Sequence, residues 1–141
     1  MTLDNEKHTV LELLDGIARR DRSLLERLVT DDVVWWAPRS ASRHGLARPL
    51  VGRPAVVELL RGSKEFFRAG TTTWTVITMI GEGASVVAQV ERRCLTSKGA
   101  EYQNDYMLRF DFEDGRIREA WEQTDTALAF DLFAVTVDSS V

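Results

Sequence analysis

Cysteine is nearly absent from this chain. Cys94 stands alone, which excludes an intrachain disulfide and any zinc cluster built on cysteine. Histidine is scarce too. His8 and His44 lie far apart, with no carboxylate at a useful spacing, so no metal set is expected. There is no glycine-rich phosphate loop, and no cofactor is expected. No apolar run approaches the roughly 20 residues that span a bilayer. The N-terminal MTLDNEKHTV lacks the hydrophobic stretch of a signal peptide, so the expected compartment is a reducing cytoplasm, away from membranes. Basic residues never accumulate. Arg19, Arg20 and Arg22 form the densest run, diluted by Asp15, Asp21 and Glu26, and the net charge is −4. A nucleic-acid partner is excluded on that ground. What is present is ordinary for one globular domain over residues 1–141: 44% hydrophobic and 28% charged residues, enough for a single core.

Hydrophobic periodicity divides the chain in two. Val10, Leu13, Leu14 and Ile17 recur at helical spacing, which predicts an amphipathic helix over 5–20. A short helix follows at 23–29, with Leu24, Leu25 and Leu28 inward. DDVVWWAP reads as a brief strand limited by Pro38. Residues 39–53 form a long loop. Pro54 opens a third helix that carries Val56, Val57, Leu59, Leu60, Phe66 and Phe67. After Gly70 the period becomes two, and strands are expected at about 71–80, 84–96, 100–112 and 116–125. A terminal helix from Thr126 to Phe133 completes the chain. Helices first and an antiparallel meander afterwards make an α+β domain, with helices packed on one face of a curved sheet.

The turns set the expected registers. Asp114–Gly115 is a strong two-residue hairpin signal and pairs Glu113 with Arg116. Counting outward, Phe112 meets Ile117, Leu108 meets Trp121, Tyr106 meets Gln123 and Asn104 meets Asp125. At SKG, a three-residue loop with Gly99 left-handed pairs Arg92 with Asn104 and Cys94 with Tyr102. A two-residue loop would bring in Arg93 instead. Parity favours Arg92, because Val86, Ala88, Val90, Arg92 and Cys94 share one row. The expected inner face therefore carries Arg92, Asn104 and Asp125 in one transverse row, with Tyr102, Tyr106, Trp121 and Gln123 around it. A buried Asn between a cation and an anion can donate to one and accept from the other. Such a row is either a self-satisfied bridge or the polar end of a small-molecule pocket.

DDVVWWAP, PLVGRPAVVELL and YQNDYMLRFDFEDGRIREAWEQTDTA together resemble the SnoaL-like branch of the nuclear transport factor 2-like superfamily, over roughly residues 8 to 134. The resemblance implies a cone-shaped roll: N-terminal helices held in a strongly curved antiparallel sheet around a deep apolar pocket. It also implies relatives of several activities, among them polyketide cyclases, ketosteroid isomerases, limonene-1,2-epoxide hydrolases, dehydratases and binding proteins. Against the epoxide hydrolases, Arg92 and Asp125 match two of the expected residues. Cys94 stands where a middle acid belongs, and Trp36 lies near the place of a water-orienting Asn. Against the isomerases, Ala37 stands where the base belongs, while Tyr106 lies near an oxyanion donor. The cyclases use an Asp as general acid/base, and Asp125 is the acid placed for it.

The resulting expectation is a cofactor-free acid/base enzyme acting on a hydrophobic cyclic or polyketide-like molecule, of cyclase, isomerase or dehydratase type. Asp125 is the proton-transfer group, Arg92 its tuner, and Asn104, Tyr102 and Tyr106 hold a substrate oxygen. Trp36 and Trp121 line the walls, with Gln123 nearby and His44 in the loop over the mouth. Only one of Trp35 and Trp36 can face inward, and Trp36 is taken as that one. The alternative for Asp125 is a cap on the terminal helix. The alternative for the whole protein is a binding protein of the same fold without catalysis. A homodimer is expected through the outer sheet face, which carries Gln89, Glu91, Arg93, Gln103, Asp105, Met107 and Arg109, with Ile77, Met79 and Val87 available.

Overall fold

The computed structural model describes residues 2–62 and 66–131. Helix α1 spans Leu3–Arg19, with Thr2 accepting from the Asn5 amide at its start. Arg20 closes it in the left-handed conformation (φ 52°, ψ 40°). Helix α2 spans Arg22–Leu28 and is capped by the Asp21 carboxylate, which accepts from the Leu24 amide. Helix α3 spans Arg53–Arg61 with Pro54 in its first turn, and ends against Gly62 at φ 79°. It is shorter than the sequence pattern suggested. Residues 63–65 lie outside the described residues, and Phe67 forms a bridge with Thr96 at the end of a strand. A glycine at positive φ with extended ψ stops the ladder where apolar spacing alone would continue it.

The strands are β1 (Val29–Trp36), β2 (Leu50–Val51), β3 (Thr73–Glu82), β4 (Ser85–Leu95), β5 (Glu101–Glu113) and β6 (Arg116–Thr124). They form one open sheet in the order β2-β1-β6-β5-β4-β3. The sheet is mixed and not wholly antiparallel, because β1 runs parallel to β6. The loop expected at 39–53 contains a 3-10 helix, Arg39–His44, besides β2. A terminal helix occupies 126–131, and Leu132 and Phe133, which the sequence assigns to it, lie outside the described residues. The cone is thus an α+β roll. Val10, Leu13, Leu25, Val56 and Val57 of the helices pack on Val86, Ala88, Leu108, Phe110 and Ile117 of the sheet. Each fully buried side chain of this kind contributes about 1.5–3 kcal/mol.

Two bulges decide which side chains face inward. In β3, Val76 pairs with Val90 but Thr78 with Gln89, so Ile77 is the extra residue. Met79, expected on the outer face, turns inward and packs against the core. In β6, Phe112 pairs with Ile117 but Asp111 with Glu119, so Arg118 is the extra residue. Every later residue of β6 then changes face relative to a regular hairpin. The packing reason is visible in the sequence IREA. Regular alternation would bury Glu119 beside Ile117 and expose Ala120. The bulge buries Ile117 and Ala120, and leaves Arg118 and Glu119 outside.

Candidate functional site

The expected hairpin at Asp114–Gly115 forms, with both residues at positive φ and Glu113 opposite Arg116. The SKG turn also takes the expected loop: Gly99 is left-handed at φ 87°, and Arg92 pairs with Asn104 and Cys94 with Tyr102. The inner row across the sheet mouth is Trp74–Arg92–Asn104. Beyond the Arg118 bulge the expected pairs are displaced. Arg109 meets Trp121, Leu108 meets Glu122, Met107 meets Gln123 and Tyr106 meets Thr124.

Several site residues expected from sequence therefore move. Trp121 lies on the outer face beneath the Arg109 guanidinium, 4.7 Å from the ring centre. Gln123 is exposed on the same face. Asp125 is exposed and its carboxylate accepts from the Leu128 amide at 3.1 Å, which makes it the cap of the terminal helix. Arg92 makes no ion pair with it; the guanidinium donates to Thr72 Oγ1 at 3.1 Å instead. The two tryptophans of β1 exchange places. Trp35 is fully buried against Phe110, whereas Trp36 donates its indole N–H to Glu119 Oε2 at 3.0 Å under the Arg48 guanidinium. His44 is exposed and stacks on Phe130 of the terminal helix at 3.8 Å.

The Asn104, Tyr102 and Tyr106 cluster does assemble inside. Asn104 Nδ2 donates to Tyr102 Oη at 2.9 Å and to the Asp125 carbonyl at 3.0 Å, while its Oδ1 accepts from the Asp105 amide at 2.9 Å. The buried amide is thereby satisfied, through the backbone of Asp125 and not through an anion. Tyr102 Oη and Tyr106 Oη share a hydrogen bond of 2.6 Å. Burial pushes both phenols above their ordinary value, Tyr106 well above it, and Tyr102 raises Tyr106 further. Both rings stay neutral hydroxyls in any physiological buffer. The mutual bond takes one of their two O–H protons, and either hydroxyl can be its donor.

Glu122 is the residue that sequence reasoning missed. The Arg118 bulge turns it inward opposite Leu108, one inner-face position from Tyr106 and Thr124. It is the one carboxyl on the inner sheet face among the described residues. Burial pushes its acid strength down, raising the pKa above the usual carboxylate range. The Trp35 indole N–H, donating to Oε1 at 3.2 Å, and the Arg92 charge pull in the opposite direction. A signal existed in the sequence: unbroken alternation puts Glu119 inside beside Ile117, a cost that one extra residue removes. Cys94 is buried, and burial pushes its thiol up, which leaves it a protonated, unreactive packing group. The described residues also form two open clefts, of about 330 and 650 Å3. One lies on the outer face by Ile80, Val87 and Arg109, the other beside the hairpin by Asp31, Glu113 and Arg116. Neither is the opening expected above the phenol pair.

Among curated proteins none matches this chain. Solved structures do. A nuclear transport factor 2-like protein of unknown function from Burkholderia pseudomallei K96243 superposes with a TM-score of 0.80 at 24% identity, over 94% of this chain and 98% of that one. TerC, co-crystallized with polyporic acid, superposes at 0.79 with 21% identity, over 92% and 98%. IdmH from Streptomyces antibioticus, a candidate polyketide cyclase, superposes at 0.75 with 20% identity, again over 92% and 98%. At such identities the likeness establishes the fold. The model of the SnoaL-like domain matches residues 10–120. With the helices followed by an unclosed mixed sheet, this establishes that the chain belongs to the SnoaL-like family of the nuclear transport factor 2-like superfamily.

Proposed function

We propose that the protein is a cofactor-free acid/base enzyme for a hydrophobic cyclic or polyketide-like molecule, of cyclase, isomerase or dehydratase type. Glu122 takes the role first expected of Asp125. The observation that carries this reading is the Glu122 carboxyl on the inner face, raised by burial and oriented by Trp35. A carboxyl displaced toward neutrality can accept and return a proton at working pH. In the proposed step the Glu122 carboxylate takes a proton from the carbon next to a substrate carbonyl. The electron pair of that C–H bond becomes the enolate, whose oxygen accepts from a phenol of the Tyr102–Tyr106 pair. The resulting Glu122 carboxylic acid then returns the proton to carbon or to a leaving oxygen. Asn104 holds Tyr102 in place through its 2.9 Å bond.

Relatives described as a candidate polyketide cyclase and as an epoxide hydrolase of the same fold support a small-molecule enzyme as the class. The test is deuterium uptake from heavy water into enolisable polycyclic ketones. Glu122→Gln keeps the acceptor for Trp35 and cannot transfer a proton, so exchange should fall by roughly 10²–10⁴. Exchange at the parental rate would remove Glu122 from the mechanism. The second reading, a binding protein without turnover, is favoured by the lack of a second inner-face carboxyl among the described strand residues. It predicts ligand binding with no exchange in either form.

We also propose a homodimer through the outer sheet face, where Ile77, Ile80 and Met107 are exposed among charged neighbours. A monomeric mass in light scattering at micromolar concentration would overturn it.

A further inference from the structure

One end of the inner face holds cationic and N–H groups that form no ion pair among the described residues. The Arg92 guanidinium lies over the Phe67 ring, 4.3 Å from its centre, and 5.2 Å from that of Trp74. One of its terminal nitrogens donates to Thr72, but its Nε–H is buried without an acceptor. Trp74 sits directly across the ladder from Arg92, and its indole N–H is likewise buried without an acceptor. Arg20 is close enough to repel Arg92. Its guanidinium is held below the usual arginine value by burial, then by Arg92 and Arg61. Arg20 donates to the Phe67 carbonyl at 2.6 Å. Neither Arg20 nor Arg92 pairs with an acid among the described residues, whereas Arg61 reaches Glu58 at 3.4 Å.

Buried N–H groups left unmade are costly, and two like charges side by side in a partly dry site add to the cost. An anionic oxygen relieves both. It accepts from the two orphaned donors and neutralises the field of the arginines. The neighbouring surface is aromatic: Phe67 packs on Tyr102 with ring centres 5.1 Å apart, and Trp74 meets Tyr106 edge-on at 5.7 Å.

We propose that this end of the cone binds its ligand through an anionic oxygen, a carboxylate or an ionised enol. Arg92 Nε–H and Trp74 Nε1–H receive it, and a flat cyclic body lies against Phe67 and the phenol pair. This names the substrate class of the site in the preceding subsection and rests on that site being a ligand site. It assigns Trp74 a binding role and makes Arg92 the specificity residue. Glu122 lies farther along the sheet, opposite Leu108, so the anionic group is held at the Arg92 end while the reacting carbon lies toward the carboxyl.

Three probes of one shape test it by calorimetry at low salt: naphthoate, the ionised enol hydroxynaphthoquinone, and neutral naphthalenemethanol. The anions should bind at least about tenfold more tightly than the alcohol. The two anions distinguish a carboxylate site from an enol site. Titration with the tighter anion should shift the Trp74 indole N–H proton resonance. Arg92→Gln should abolish the preference, and Trp74→Phe, which keeps the ring and loses the donor, should weaken anion binding severalfold. If Arg92→Gln fails to fold, Trp74→Phe carries the test alone. Equal binding of alcohol and anions, no binding of any probe, or a preference that survives Trp74→Phe unchanged would each overturn the proposal. Glu122→Gln separates the two readings. It should keep the anion preference whether or not deuterium exchange is lost, so either idea can fail alone.

Discussion

The stability of Glu122→Gln relative to the parent should rise from acid to neutral pH. The sign follows from the environment of the carboxyl. Burial raises its pKa in the folded state above the unfolded value, against the opposing Trp35 hydrogen bond and Arg92 charge. Between those two values the native state holds a proton that the unfolded chain has released. Stability therefore falls as pH rises through that window and is level above it. Below the unfolded value, about pH 4, both states are protonated and the term is absent. Each unit of displacement is worth about 1.4 kcal/mol, which in a domain of this size moves the melting point by about 3–5 °C. Gln keeps an oxygen for the Trp35 indole but adds an amide N–H2 that needs a partner. That offset, about 1 kcal/mol, does not vary with pH. The quantity to measure is thus the slope of the difference. Asp21 and Glu91, whose carboxyls are held below the usual range by hydrogen bonds, give stability that is lost as pH falls, and they do so equally in both proteins. Urea unfolding followed by circular dichroism from about pH 4 to pH 8 reads the difference directly. Parallel stability curves for parent and Glu122→Gln would refute the inward, desolvated carboxyl and with it the Arg118 bulge that places it.

Asn104→Ala should cost about 1–3 kcal/mol in urea unfolding, because it takes the side-chain acceptor from the Asp105 amide and removes one of the bonds made by the Tyr102 hydroxyl and by the Asp125 carbonyl. A loss below 1 kcal/mol would mean that the amide is not their common partner. Asp125→Ala should cost about 0.5–2 kcal/mol as a lost cap, and Asp125→Asn much less, with deuterium exchange at the parental rate in both. A large loss of exchange in Asp125→Asn would return the proton-transfer role to that residue.

The parts of the site that sequence alone placed are those governed by short-range geometry. Asp114–Gly115 and Gly99 require positive φ, so two hairpin registers could be counted from the turns. From Gly99 the parity of β4 and β5 followed, and with it the inward positions of Arg92, Asn104, Tyr102 and Tyr106. The α1 and α2 faces were legible because apolar spacing there answers to one core. What tertiary structure decided lies beyond the first irregularity in each ladder. Ile117 and Ala120 must both reach the core under Phe110 and Trp35, and one strand residue had to be spent at Arg118 to allow it. No local propensity encodes that choice. It depends on what lies across β6, including the parallel neighbour β1, whose pairing brings Trp35 opposite Ala120 and turns Trp36 outward. A single extra residue exchanges faces for everything after it. That is why Trp121, Gln123 and Asp125 left the site and Glu122 entered it.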